Sequence, residues 1–343
     1  MKPIDLPPNQ PRQFYRGGRA IAAFRSDGDA SRAGEFGPED WVGSTTTLFG
    51  KSEGLSVLPD GTLLRDAVAA DPIAYLGEAH AAVYGPDPAL LVKLLDAGER
   101  LPVHVHPDRT FAQQHLNCRF GKTEAWLVIG TSDSDAAVYV GFKADVEEAA
   151  VDAWVKSQRS DMLLETLNRI PVRRGDTVLI PAGTPHAIGA GVFIIELQEP
   201  TDFSVMLEWE TFGLAGFAET QLGLPSSLAL SCLDRSGWTS ARLASCLSRG
   251  ALSGAGGSRS VLPAQADSFF RAEQLVSSSS VTLPAQFGVL VVLEGSGQLA
   301  GDFGQPLDVR RGSTVLVPYA AGDVQLNGAV NVVRCLPPAV NGA

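Results

Sequence analysis

The stretch RRGDTVLIPAGTPHAIGAG, residues 173–191, recurs without a gap as RRGSTVLVPYAAGDVQLNG, residues 310–328. Arginine, glycine, threonine, valine, leucine and proline return in register at an offset of 137 residues. Self-similarity at a fixed offset indicates an internal duplication, and a short apolar run bounded by glycine and proline is typical of a buried strand. We therefore expect two related β-barrel units, one in each half of the chain.

The two copies differ at a position that matters for chemistry. His186 of the first copy aligns with Asp323 of the second, and no histidine follows residue 186. The first unit is therefore predicted to hold the chemical site. The second unit is predicted to be structural and to bind no metal.

The motif LPVHVHPD, residues 101–108, places two histidines one residue apart. Side chains alternate along a strand, so His104 and His106 would project from the same face. Glu124 and His186 are available as third and fourth ligands. Imidazole nitrogens with one carboxylate suit Zn²⁺, and also Fe²⁺ or Mn²⁺. We predict one divalent metal ion per chain, with zinc as the first expectation.

The net charge of the chain argues against two classes of binding partner. The chain has 343 residues and a net charge of −11, and an acidic surface repels phosphate backbones and anionic lipids. We therefore expect no nucleic-acid or membrane partner. The N-terminal segment lacks the apolar core of a signal peptide, and the four cysteines show no CxxC spacing. These features predict a cytoplasmic protein with reduced thiols.

Three motifs together resemble one enzyme family. VHPD, then FGKTEAW (120–126), then PAGTPHAIG (181–189) is similar to the class I mannose-6-phosphate isomerases, and PEDWVGS (38–44) looks like the family's GExWxxS segment. The members of this family are zinc-dependent aldose–ketose isomerases with the cupin fold, and the resemblance implies the same activity and fold for this chain. The expected fold is therefore mostly β, with two cupin-type (jelly-roll) barrel units, helical insertions and a helical connector.

The resemblance also assigns roles to individual residues. The family's four zinc-ligand positions match His104, His106, Glu124 and His186, although the family usually has glutamine where this chain has His104. Lys122 matches an active-site position and is expected to stabilise an oxyanion or to transfer a proton. Glu196 matches a glutamate beside the family's site and is the other candidate base.

Other departures from the family concern the substrate. Pro102 replaces a usual serine, Met206 a usual arginine and Arg16 a usual tryptophan. Serine and arginine are suited to binding phosphate, so their loss leaves two alternatives. Either Arg16 or Arg19 supplies the missing contact, or the substrate carries no phosphate.

These observations predict a domain organisation and a function, with two alternative functions. Residues 1–215 are expected to form a metal-binding catalytic cupin domain with a helical insertion near 144–170. Residues 216–260 are expected to form a helical connector and a Gly/Ser linker, and 261–343 a metal-free cupin-like domain. The predicted function is isomerisation of mannose 6-phosphate to fructose 6-phosphate, or of a related sugar. The alternatives are an isomerase of an unphosphorylated sugar and a sugar-binding cupin without catalysis.

Overall fold

The strands of the chain form three antiparallel sheets. The structure is a computed structural model, and it describes residues 1–26, 34–216, 220–254 and 256–340. The strands are β1 (Ile4–Asp5), β2 (Glu39–Val42), β3 (Leu91–Asp96), β4 (His104–Val105), β5 (Glu124–Thr131), β6 (Ala137–Phe142), β7 (Leu167–Pro171), β8 (Thr177–Ile180), β9 (His186–Ile188), β10 (Val192–Gln198), β11 (Val205–Met206), β12 (Leu247–Ser248), β13 (Gly257–Ser260), β14 (Arg271–Ser277), β15 (Ser280–Leu283), β16 (Gly288–Ala300), β17 (Leu307–Arg310), β18 (Thr314–Val317) and β19 (Val324–Leu336). The prediction of a mostly β fold is confirmed.

The helices of the described segments are short and lie between strands. They are α1 (Arg19–Arg25), α2 (Leu64–Ala70), α3 (Pro72–Leu76), α4 (Glu78–Tyr84), α5 (Arg109–His115), α6 (Glu148–Lys156), α7 (Ser160–Thr166), α8 (Ser226–Leu230) and α9 (Ser240–Cys246), with single 3₁₀ turns at Glu210–Phe212, Ala264–Ala266 and Tyr319–Ala321. None of the helices described is long and apolar enough to cross a bilayer.

The first part of the chain builds two sheets that face each other across a buried polar centre. One sheet has the strand order β12-β8-β5-β10-β3-β2, and the other has the order β11-β4-β9-β6-β7. Strand β10 reads VFIIELQ and is buried along its whole length, which explains why its sequence is nearly continuously apolar. Helices α6 and α7 follow β6 and pack with α8 on the five-stranded sheet.

The third sheet combines the C-terminal strands with the N-terminus. Its order is β1-β18-β16-β19-β14-β13, with β15 on β19 and β17 on β16. Strand β1 pairs with β18, so that Ile4 lies opposite Leu316. A two-residue strand has too few positions for a periodic pattern, and the sequence therefore did not indicate that the N-terminus belongs with the C-terminal strands.

The repeat found in the sequence corresponds to one matched strand in each half. Strands β8 and β18 begin and end at positions exactly 137 residues apart in the two copies. Each follows a turn with a glycine at positive φ, 96° at Gly175 and 86° at Gly312. A Cβ at Gly312 would lie 2.1 Å from the carbonyl oxygen of Phe24. The repeated glycine is therefore needed for both conformation and close packing.

The structure differs from the sequence reading in the segment expected to be a connector and linker. Among the described residues of 216–260, the helical positions are α8, α9 and Thr220, and most of the others are turns or extended segments. In the Gly/Ser-rich stretch 247–260, β12 pairs with β8 and β13 pairs with β14. Backbone pairing requires no particular side chain, so low-complexity composition did not reveal these strands.

A buried cation joins the N-terminal segment to the C-terminal sheet. The Arg25 guanidinium lies 3.2 Å from Asp40 Oδ2 and donates to the carbonyl oxygens of Leu6 and Gly312 at 2.7 and 2.9 Å. The side chain of Asp40 is fully buried. Because a buried carboxylate without its partner is costly, this pair is expected to hold the two parts of the fold together.

Arg25→Ala is expected to lower the free energy of unfolding by about 3–5 kcal/mol, because it leaves the buried Asp40 carboxylate without its cation and removes two hydrogen bonds to carbonyl oxygens. Urea denaturation of the wild type and the variant measures the difference. Arg65→Ala is the control, because Arg65 pairs with Asp66 at the surface, and an exposed pair contributes less than about 1 kcal/mol. Equal losses in both variants would contradict the assigned role of Arg25.

Candidate metal centre

Three histidines converge on one face of the five-stranded sheet. His104 on β4 lies directly opposite His186 on β9 in antiparallel register, and alternation along the chain brings His106 to the same side as His104. Their ring centroids are 4.2 to 4.9 Å apart. All three side chains are buried. The structure therefore brings together the three histidines that the sequence singled out.

The orientation of each imidazole is fixed by the backbone. Each Nδ1 atom lies 2.7 to 2.8 Å from a carbonyl oxygen, those of Pro102, Phe203 and Thr184 for His104, His106 and His186 respectively. A carbonyl can only accept, so Nδ1 carries the proton and Nε2 keeps its lone pair. Burial lowers the pKa of His104 well below its usual range and that of His106 to about 3. Both rings are therefore neutral and able to bind a metal through Nε2.

Glu124 approaches the histidines from the facing six-stranded sheet, as the first residue of β5. Its Oε2 lies 3.0 Å from His106 Nε2, and its Oε1 lies 3.3 Å from His186 Nε2. Burial opposes ionisation of this carboxyl, but the nearby Lys122 charge holds the pKa of Glu124 well below its usual range. The side chain is therefore an anionic oxygen donor.

The donor set fits a divalent transition-metal ion. The buried atoms Glu124 Oε2 and His186 Nε2 have no hydrogen-bond partner among the described residues. Lone pairs that face one another in a buried site are unfavourable unless a cation lies between them. Neutral imidazole nitrogens and one carboxylate are the ligands that zinc and similar ions prefer. The cluster therefore has the chemistry of a metal site.

A cleft of about 180 Å³ leads from the surface to this centre. The cleft reaches His104, Lys122, Glu124 and Glu196, while Pro102 and Met206 are part of its wall. Lys122 Nζ lies 3.0 Å from His106 Nε2 and 3.3 Å from Glu124 Oε2. A small molecule at the inner end of the cleft would therefore lie beside metal ligands, the Lys122 ammonium group and the Glu196 carboxyl.

Glu196 lies in the cleft beside Lys93 and Trp126. Its Oε2 lies 3.5 Å from Lys93 Nζ, and Trp126 Nε1 donates to Glu196 Oε1 at 3.2 Å and to Glu124 Oε1 at 3.0 Å. Burial, together with the nearby Glu124 charge, raises the pKa of Glu196 to about 7, against the opposing effect of Lys93. A carboxyl with this pKa is populated in both protonation states near neutrality, as a general acid and base requires.

Lys93 is a buried cleft residue that the sequence patterns did not single out. Lys93 Nζ lies 3.2 Å from Glu39 Oε2 and 4.6 Å from the centre of the Trp41 ring. Glu39 also accepts hydrogen bonds from Trp41 Nε1 and from the hydroxyl of Tyr15. The sequence did contain an indication of this role. Lys93 is the one charged residue in the buried run ALLVKLL, and a buried lysine without a partner would be unfavourable.

Arg16 and Arg19 do not line the cleft that the structure describes. Arg16 is exposed and pairs with Glu35 at 3.1 Å. Arg19 is an exposed residue of α1. The replacement of a usual tryptophan by Arg16 pointed to the site. Gly17 and Gly18 turn the chain at positive φ, and both arginine side chains are exposed to solvent. Their role in substrate binding stays a prediction.

Comparison with known proteins agrees with the geometry. The mannose-6-phosphate isomerase of Streptococcus mutans is 31% identical over 204 residues, which are 59% of this chain and 58% of that protein. Mannose-6-phosphate isomerase ManA of Bacillus subtilis is 28% identical over 247 residues, or 70% and 72% of the two chains. The chain thus matches less than two thirds of the Streptococcus mutans protein. No family model matches the chain.

Solved structures agree with this chain over nearly its whole length. The mannose 6-phosphate isomerase of Bacillus subtilis superposes with a TM-score of 0.73 at 19% identity, covering 98% of this chain and 99% of the other. A mannose 6-phosphate isomerase solved with zinc and yttrium bound gives a TM-score of 0.72 at 15% identity, covering 99% and 100%. The chain is therefore similar in sequence to curated mannose-6-phosphate isomerases over more than half of its length, and it has the fold of the solved mannose 6-phosphate isomerases.

Proposed function

We propose that this protein is a zinc-dependent isomerase that interconverts mannose 6-phosphate and fructose 6-phosphate, or a closely related sugar pair. The observation that carries the proposal is the buried cluster of His104, His106, His186 and Glu124 at the end of a cleft that also contains Glu196. The names of the sequence relatives support a sugar-phosphate substrate. A family structure with bound zinc supports zinc, although Fe²⁺ and Mn²⁺ also suit these donors.

The proposed reaction moves a carbonyl group between C1 and C2 of the sugar. When bound by His104, His106, Glu124 and His186, a divalent ion polarises the carbonyl and stabilises the negative charge that develops. Glu196 removes the proton from C2 and returns it to C1, while the hydroxyl proton passes from O2 to O1. A carboxyl with a pKa of about 7 can both take up and release a proton near neutrality. Lys93 orients that carboxyl through the ion pair.

Lys122 supplies a positive charge on the same side of the cleft. Its ammonium group lies against Glu124 and His106 and is buried, so it acts in a medium of low dielectric constant, where a charge stabilises a developing oxyanion strongly. A protein that only stores or senses a sugar needs neither Lys122 nor a carboxyl of shifted pKa. This favours catalysis over simple binding.

A second candidate function is isomerisation of a sugar without phosphate. Pro102 and Met206 both line the cleft, and neither side chain can donate a hydrogen bond to a phosphate. The two functions share the metal centre and the base, and they differ only in the group that occupies the outer part of the cleft. The cytoplasmic setting is common to both, and the four free cysteines agree with a reducing compartment.

A coupled assay of the zinc-loaded protein distinguishes these functions. We expect kcat/KM for mannose 6-phosphate to exceed that for free mannose by about tenfold or more, because a charge-assisted contact to phosphate contributes roughly 1.5–3 kcal/mol. A preference for free mannose would support the second candidate. Sugar binding without turnover of any aldose or ketose would instead indicate a binding protein.

A further inference from the structure

Lys51 is a cleft residue that the metal centre and its acid–base groups do not use. Three lysines line the cleft among the described residues, Lys51, Lys93 and Lys122. Lys93 pairs with Glu39 and Glu196, and Lys122 pairs with Glu124. Lys51 is exposed and has no ion-pair partner among the residues described. It is therefore the lysine whose charge is available to an incoming anion.

The backbone around Lys51 is held in place by the segment that supports the metal ligands. The N–H of Phe49 donates to Asp202 Oδ2 at 3.0 Å, and Thr46 Oγ1 donates to the carbonyl oxygen of Pro200 at 3.2 Å. The Phe49 ring also meets the edge of the Phe203 ring, with centroids 5.8 Å apart.

This anchoring connects the loop to the metal centre. The carbonyl oxygen of Phe203 accepts the hydrogen bond that orients His106, and the N–H of Lys51 closes a turn onto the carbonyl oxygen of Leu48 at 3.0 Å. The loop and the centre therefore share one supporting segment, which limits how far Lys51 can move relative to the ligands.

The remaining lining residues leave few ways to bind an anion at the outer end of the cleft. Pro102 and Met206 provide apolar surface, Gln13 and Ser204 are neutral donors, and Arg16 and Arg19 lie elsewhere. The inner lysines are neutralised by carboxylates, so they offer less net charge to a dianion. An exposed lysine keeps its hydrated ammonium until the ligand arrives and can then pair with phosphate as a point charge.

We propose that Lys51 binds the phosphate group of the substrate at the mouth of the cleft and so sets the preference for phosphorylated over free sugars. The proposal rests on the proposed function of the metal centre. It assigns recognition of the anionic end of the substrate to the loop 46–51.

Lys51→Met removes the charge and keeps most of the apolar stem, and Lys156→Met on α6 is the matched control away from the cleft. The ratio of kcat/KM for mannose 6-phosphate to that for mannose is expected to fall about tenfold in Lys51→Met and to stay constant in Lys156→Met. Calorimetric titration of the zinc-loaded proteins with sorbitol 6-phosphate, which has no carbonyl to isomerise, should show about tenfold weaker binding in Lys51→Met.

The titration separates the failure of this proposal from the failure of the proposed function. An active wild type whose preference and sorbitol 6-phosphate affinity are both unchanged by Lys51→Met would overturn the role of Lys51 and leave the isomerase intact. A wild type that turns over neither sugar, but loses affinity for sorbitol 6-phosphate in Lys51→Met, would overturn the isomerase and retain the anion site. Weakened binding in Arg16→Met, with none in Lys51→Met, would move the phosphate contact to Arg16.

Discussion

His106→Ala is expected to abolish isomerase activity and to remove most of the bound metal. The Nε2 atom of His106 faces Glu124 Oε2 at 3.0 Å in a fully buried site, and its other ring nitrogen is fixed by a backbone carbonyl. A four-ligand zinc site contributes about 10–16 kcal/mol of binding free energy. Loss of one ligand should therefore weaken metal binding by about two to three orders of magnitude.

Metal analysis after dialysis, together with the isomerase assay, checks this prediction. His115→Ala is the control, because His115 is an exposed residue at the end of α5 and lies outside the cluster. It should retain both metal and activity. Full metal occupancy in His106→Ala would show that the cluster is not the binding site.

Glu196→Gln is expected to lower kcat by about 10²–10⁴-fold while metal content is unchanged, because the amide keeps the size of the side chain and cannot take up the proton. In the wild type, kcat/KM should rise as the pH increases through about 7, because burial raises the pKa of Glu196 to about 7 and the base acts only when deprotonated. This rise should disappear in the variant.

The pH profile distinguishes a catalytic role from a structural one. Glu165→Gln, at an exposed position of α7, is the control for the loss of one negative charge and should keep both the rate and the profile. If Glu196→Gln retained the wild-type rate and pH dependence, the base would have to be sought elsewhere, with Lys122 as the next candidate.

Much of the metal centre could be predicted from the sequence, because the histidine positions follow from strand alternation and from an internal repeat. Alternation along a strand is enough to place His104 and His106 on one face, and the offset of 137 residues shows which copy of the repeat kept a histidine. The mostly β fold follows from the same local patterns. Neither the alternation nor the repeat requires knowledge of how the strands pair.

The tertiary structure decided what depends on contacts between distant segments. Register between β4 and β9 sets His104 opposite His186, and the pairing of β10 with β3 sets Glu196 opposite Lys93. The pKa of Glu196 follows from that burial and those charges, so no local pattern contains it. Likewise, Arg16 and Lys51 are both polar loop residues in the sequence. Lys51 lies in the cleft and Arg16 does not, because the loop 46–51 packs against Asp202 and Phe203. The position of a loop depends on the surface that it contacts, and its own sequence does not show that surface.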